Sequence, residues 1–211
     1  MSLRRRSLEG LFAKSEVLVM KRREICRALL LLLILFGYSP SVFSIPAKVL
    51  SEIKDLQHVD LRFLSQCDLD GSSDPYLIVG LVDKQFHHEV AAFARKDKKL
   101  VEIFRFRGRL GQETLERVYC LDIDRDGYEE IISFWTSGAH TNVLRIFRYT
   151  TSNLSLVFEG SDRNEPELID VDSDGKLEVI LNGNEKSRIF SWDGYKFILR
   201  REVEPRKRLI H

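Results

Sequence analysis

Three Asp-rich loops hold the residues of this 211-residue chain whose types and spacing best suit chemistry. They read Asp68-Leu-Asp70-Gly-Ser72-Ser-Asp74-Pro-Tyr76, Asp122-Ile-Asp124-Arg-Asp126-Gly127-Tyr128-Glu-Glu130 and Asp170-Val-Asp172-Ser-Asp174-Gly175-Lys176-Leu-Glu178. In the second and third loops, carboxylates fall at positions 1, 3, 5 and 9. Alternate side chains of a tight loop can converge on one point, where Ca2+ accepts about six to eight oxygens. The expected ligands are Asp122, Asp124, Asp126 and Glu130 with the Tyr128 backbone carbonyl, and Asp170, Asp172, Asp174 and Glu178 with the Lys176 carbonyl. Gly127 and Gly175 stand at position 6, where a sharp reversal calls for φ > 0. Without a cation, two carboxylates about 4 Å apart repel by roughly 1 kcal/mol in water and about 4 kcal/mol at an effective dielectric near 20. A solvated turn explains scattered Asp and Gly, but not four acids repeated at matching positions. Two strong calcium sites are therefore expected.

The first loop is depleted. Asp68, Asp70 and Ser72 keep oxygens at positions 1, 3 and 5, but Ser73 replaces the glycine and Tyr76 the acid at position 9. It is expected to bind calcium loosely or not at all. An EF-hand does not fit, because its bidentate Glu at position 12 is replaced by Ser133 and Leu181. An EF-hand loop also leads into a helix, whereas Ile131-Ile132-Ser133-Phe134-Trp135 and Val179-Ile180-Leu181 read as buried strands.

The elements that position these loops follow from their spacing. Loop starts at 68, 122 and 170 lie about fifty residues apart, the size of one four-stranded propeller blade. Apolar and alternating runs predict strands at 76–81, 89–94, 100–106 and 116–121, then 130–135, 143–149, 154–159 and 168–169, then 178–181, 188–192 and 195–201. The expected fold class is all-β, with three propeller-blade-like repeats over about 68–121, 122–169 and 170–203. Phe93, Phe147 and Phe190 recur in the second strand of each repeat and are expected to pack blade on blade. Three blades fall short of the usual four to eight. An open stack, a ring completed by a second chain and a compact barrel-like variant all remain, and uncovered edges predict self-association.

This constellation resembles the FG-GAP / VCBS-type repeat family, whose hallmark is an Asp-x-Asp-x-Asp-Gly-x-x-[Asp/Glu] loop before a short hydrophobic strand. The resemblance spans residues 58–203. The Phe-Gly…Gly-Ala-Pro pattern is absent, so the VCBS-type branch is the closer match. The resemblance implies β-propeller blades with calcium held between strands, and it implies no catalytic activity.

The N-terminus reads as a targeting region over 1–44. Lys21-Arg22-Arg23 and Arg27 precede the apolar run 28–36, and Val42-Phe43-Ser44 supplies tolerated cleavage positions. That run is too short for a membrane span. Met20 opens it, so residues 1–19 read as an over-extended start. Cleavage after Ser44 leaves a β-repeat domain over 45–211 with 25 basic and 29 acidic residues, a net charge of −4. The chain is thus expected to be exported, periplasmic or extracellular. Its balance gives no basic footprint for nucleic acid, and Arg105, Arg107 and Arg109 read as a solvated strand face. Cys67 and Cys120 stand one and two residues before their loops, so parity sets them on opposite faces of equivalent strands. This favours buried free thiols over a disulfide.

No two-His zinc spacing, Gly-x-Ser-x-Gly elbow or phosphate-cradling loop occurs. The expected function is a non-catalytic calcium-binding module for protein interaction or scaffolding, its partner a protein or envelope component. The alternatives are a carbohydrate-binding module using Trp135 or Trp192, and an accessory subunit of an envelope enzyme.

Overall fold

The computed structural model describes residues 60–72, 74–150 and 153–204. Within them the chain is all-β, with twelve strands, no helix and three four-stranded antiparallel sheets. The first sheet holds β1 (Asp60–Cys67), β2 (Tyr76–Val82), β3 (His88–Lys96) and β4 (Lys99–Arg107). The second holds β5 (Glu113–Leu121), β6 (Glu130–Ser137), β7 (Thr141–Thr150) and β8 (Asn153–Asp162). The third holds β9 (Glu167–Ile169), β10 (Glu178–Asn182), β11 (Ser187–Trp192) and β12 (Phe197–Val203). In every sheet the strands lie side by side in chain order.

The sheets begin one strand earlier than the loop-to-loop division over 68–121, 122–169 and 170–203. The run at 116–121 belongs to β5, the first strand of the second sheet, and 168–169 belongs to β9 of the third. Each Asp-rich loop therefore joins the first two strands of one sheet. Its mouth is closed by an antiparallel pair: Cys67 with Tyr76, Leu121 with Glu130, and Ile169 with Glu178. Phe93, Phe147 and Phe190 then fall on the third strand, not the second, opposite Leu77, Ile131 and Val179. A register shift against the fourth strand precedes each of them, at Ala92/Phe93, Ile146/Phe147 and Ile189/Phe190. This recurring irregularity, where one strand gains a residue on its partner, marks the three sheets as copies of one unit.

Packing follows from the period of two. Ile131, Trp135, Val143 and Phe147 of the second sheet meet Cys67, Tyr76, Ile78, Val90 and Ala92 of the first. Ile132, Phe134, Leu144 and Ile146 point the other way, toward Val179, Leu181, Trp192 and Phe197 of the third. The second sheet is covered on both faces, which is why β6 reads as an apolar run without alternation.

Cys67 and Cys120 form a disulfide, with Cα atoms 5.8 Å apart. This corrects the expectation of free thiols. The parity behind that expectation is sound: Cys67 takes the place of Leu121 in the repeat, and Cys120 lies one residue earlier. Stacked sheets, however, meet through opposite faces. Residues on opposite faces of equivalent strands are the ones that touch between neighbouring sheets.

The signal region over 1–44 lies outside the described residues. No helix among the described residues is long and apolar enough to cross a membrane.

Candidate metal centre

The second and third loops share one hydrogen-bond frame. At position 1, Asp122 Oδ2 accepts from the Gly127 N–H at 3.0 Å and Asp170 Oδ2 from the Gly175 N–H at 2.9 Å. At position 5, Asp126 and Asp174 accept from the N–H of Tyr128 and Lys176 at 3.0 and 2.8 Å. At position 9, Glu130 and Glu178 accept from the N–H of Ile123 and Val171 at 3.1 and 3.0 Å. The frame needs left-handed backbone at two places per loop: Arg125 and Gly127 (φ 60° and 92°), and Ser173 and Gly175 (φ 63° and 91°). The loops also abut one another. Glu129 N–H donates to the Asp68 carbonyl at 2.7 Å and Leu177 N–H to the Ile123 carbonyl at 2.8 Å, while Glu129 Oε2 accepts from the Asp68 N–H at 2.7 Å.

Each frame turns three acids inward. Carboxylate oxygens of Asp122, Asp124 and Glu130 lie within 4.8 Å of one another, as do those of Asp170, Asp172 and Glu178. These are positions 1, 3 and 9. Asp126 and Asp174, at position 5, stand outside the clusters and cap their own loops. Oδ1 of Asp122, of Asp124 and of Asp170 is enclosed without a hydrogen-bond partner. An enclosed, unpartnered carboxylate oxygen is costly, and a hard cation is the ligand that suits this all-oxygen donor set. Burial, with Asp124 and Asp126 nearby, pushes the Glu130 carboxyl up to about 7 despite the Ile123 N–H and the Arg148 charge. Burial and the neighbouring acids Asp172, Asp174 and Asp170 likewise raise Glu178, against the Val171 N–H.

The three loops differ in what meets their acids. In the first, the Tyr76 hydroxyl donates to Asp70 Oδ2 at 2.7 Å, and Asp70 and Asp68 otherwise accept from the N–H groups of Ser72 and Gly71. In the second, Arg148 of β7 reaches the cluster. Its Nη1 donates to Asp124 Oδ2 at 2.9 Å and Glu130 Oε1 at 2.6 Å, and its Nη2 pairs with Asp126. In the third, a cavity of about 470 Å³ is lined by Asp172, Asp174, Glu178, Trp192, Arg200 and Arg201, among others. Arg148 escapes a reading of the loops alone, since it stands 18 residues or more from the acids it contacts. The available signal is the second of two basic residues in an otherwise apolar strand, at the register position facing Glu130.

Two other expectations are corrected. Arg105 and Arg107 are not a merely solvated stripe, because both bind Glu89, which is fully buried, and Arg105 also pairs with Glu102. Trp135 and Trp192 are buried at 1% and 9% exposure, so neither offers a stacking face to a sugar. No protein-family model matches this chain, and no curated protein matches it.

Proposed function

We propose that the chain is an exported calcium-binding β-repeat protein of the FG-GAP / VCBS type, a non-catalytic module for protein interaction or scaffolding. One observation carries the calcium reading: a repeated backbone frame turns three carboxylates inward and leaves an oxygen of the first acid enclosed and unpartnered. Asp170, Asp172 and Glu178 would supply ligand oxygens in the third loop; Asp122, Asp124 and Glu130 form the matching acidic set in the second. Bound calcium would neutralise the acids and tie together the first two strands of a sheet. The sugar-binding alternative loses support with the burial of both tryptophans. Calorimetric titration tests the proposal. Extracellular modules bind calcium with Kd of about 10⁻⁴ to 10⁻³ M, so millimolar calcium should stabilise the fold by roughly 0.4 to 1.4 kcal/mol per site. Asp172→Ala should abolish binding in the third loop. No heat of binding in the native protein would overturn the calcium assignment.

A further inference from the structure

We propose that Arg148 is a built-in cation that closes the second loop, so that the chain holds one calcium ion, in the third loop, and not two. The inference rests on the calcium reading and refines it. The two loops have the same acids at positions 1, 3, 5 and 9 and the same backbone frame, so the difference between them comes from outside the loop. Register locates it. Ile131 pairs with Phe147 and Val179 with Phe190, so the residues facing Glu130 and Glu178 are Arg148 and Ser191. Arg148 contacts Asp124, Asp126 and Glu130 together. Its guanidinium also lies over the Trp192 ring of the third sheet, 5.0 Å from the centroid, and its side chain is only 17% exposed. Calcium entering this loop would meet a positive charge already bonded to two of its three inward-facing acids, in a site where desolvation strengthens the repulsion. A serine at the same place makes no such contact.

The third loop shows the complementary features. Glu178 is only 3% exposed, and among the described residues it accepts one hydrogen bond, from the Val171 N–H. Asp170 Oδ1 is enclosed and unpartnered, as Asp122 Oδ1 is in the second loop, so the two differ in the added cation and not in this oxygen. Arg125 lies against Gly175, and Arg200 and Arg201 line the cavity. Among the described residues, no Lys or Arg side chain comes within the 4.0 Å ion-pair distance of Asp170, Asp172 or Glu178. In the first loop the Tyr76 hydroxyl takes the part that Arg148 takes in the second, satisfying Asp70 without a metal. The first loop is thus satisfied by a hydroxyl, the second is closed by a guanidinium, and the third, with the same frame as the second, is open.

Calorimetry with calcium chloride on the native chain and on Arg148→Ser, which installs the third sheet's residue, is the decisive comparison. The expected stoichiometry is one in the native chain and two in Arg148→Ser. Asp124→Asn provides a second arm should the arginine variant fold poorly. It should leave the native stoichiometry at one, while Asp172→Asn reduces it to zero. Two ions in the native chain, or one ion lost in Asp124→Asn, would overturn the arginine closure and leave the calcium reading standing. No binding in either the native chain or Arg148→Ser would overturn the calcium reading itself, and this inference with it.

Discussion

Arg145 illustrates how single residues hold the stack together. It lies on β7 with its side chain 3% exposed, donating to Glu113 Oε1 at 2.8 Å and Glu159 Oε2 at 2.6 Å. Its guanidinium faces the rings of Phe106 and Trp135, 4.8 and 5.2 Å from their centroids, so it bridges the first two sheets. Trp135 is fixed in turn, its Nε1–H donating to Ser133 Oγ at 2.9 Å. A buried pair is a weak source of net stability, but removing one partner strands the other's charge at a cost of about 3–5 kcal/mol. Arg145→Met should destabilise the fold by about that amount, and Arg145→Met with Glu113→Leu by less, as urea midpoints would show. The same pair sets an acid dependence. Burial alone would raise the Glu113 carboxyl, but the Arg145 bond and the Arg109 N–H outweigh it and hold the group below its ordinary 4.5. A depressed carboxylate stabilises the fold above its unfolded pKa, and that contribution is lost as pH falls through the folded value. Stability should therefore decline below about pH 4.5, and less steeply in Glu113→Gln than in the native chain. Equal slopes would remove Glu113 from the acid response.

Between elements, the disulfide joins the end of β1 to β5 and closes a span of 53 residues. In the chain-entropy picture a loop of that length restricts the unfolded state by about 4 kcal/mol, with measured effects commonly about 2–4. Reduction, or Cys67→Ala with Cys120→Ala, should lower stability within that range, read as a lower urea midpoint. An unchanged midpoint would show that the bridge adds nothing to the fold. The element scale is also where the sequence was least legible. Strand existence could be read from apolar runs bounded by Asp-Gly loops, because both signals are local. The grouping of strands into sheets is set by which hairpin closes around each loop. The pairs Leu121–Glu130 and Ile169–Glu178 place each loop inside a sheet, whereas its spacing alone suits either phase. The Cys67–Cys120 bridge escapes the sequence for a related reason: parity fixes the face of a side chain, and only the stacking order says which faces meet. The loop acids were legible because their spacing is contained within nine residues. Arg148 was not, because its partners are set by cross-strand register.

Over the whole molecule, stability is distributed unevenly along the stack. The first two sheets have strands of seven to ten residues, share the disulfide and enclose one large core. The third has strands of three, five, six and seven residues and is joined to the second through a smaller cluster. Its far side is a groove of about 710 Å³ lined by Ile169, Val171, Ile180, Ile189 and Val203, with Ile169 38% exposed. Short strands with one well-covered face are expected to open at lower free energy than the rest of a domain. The third Asp-rich loop lies in this sheet, between β9 and β10, so an ion bound there would strengthen the weakest unit and leave the first sheet untouched. Hydrogen exchange resolved by strand is the suitable measurement. Without calcium, amides of β10 and β11 should exchange faster than those of β6 and β7. At a calcium concentration ten times Kd, opening that releases the ion becomes about tenfold rarer, so exchange in β10 and β11 should slow by about that factor while β2 and β3 stay unchanged. Equal slowing in all three sheets would mean that the stack opens as one cooperative body. No slowing in β10 and β11, at a concentration where calorimetry shows binding, would place the ion elsewhere than the third loop.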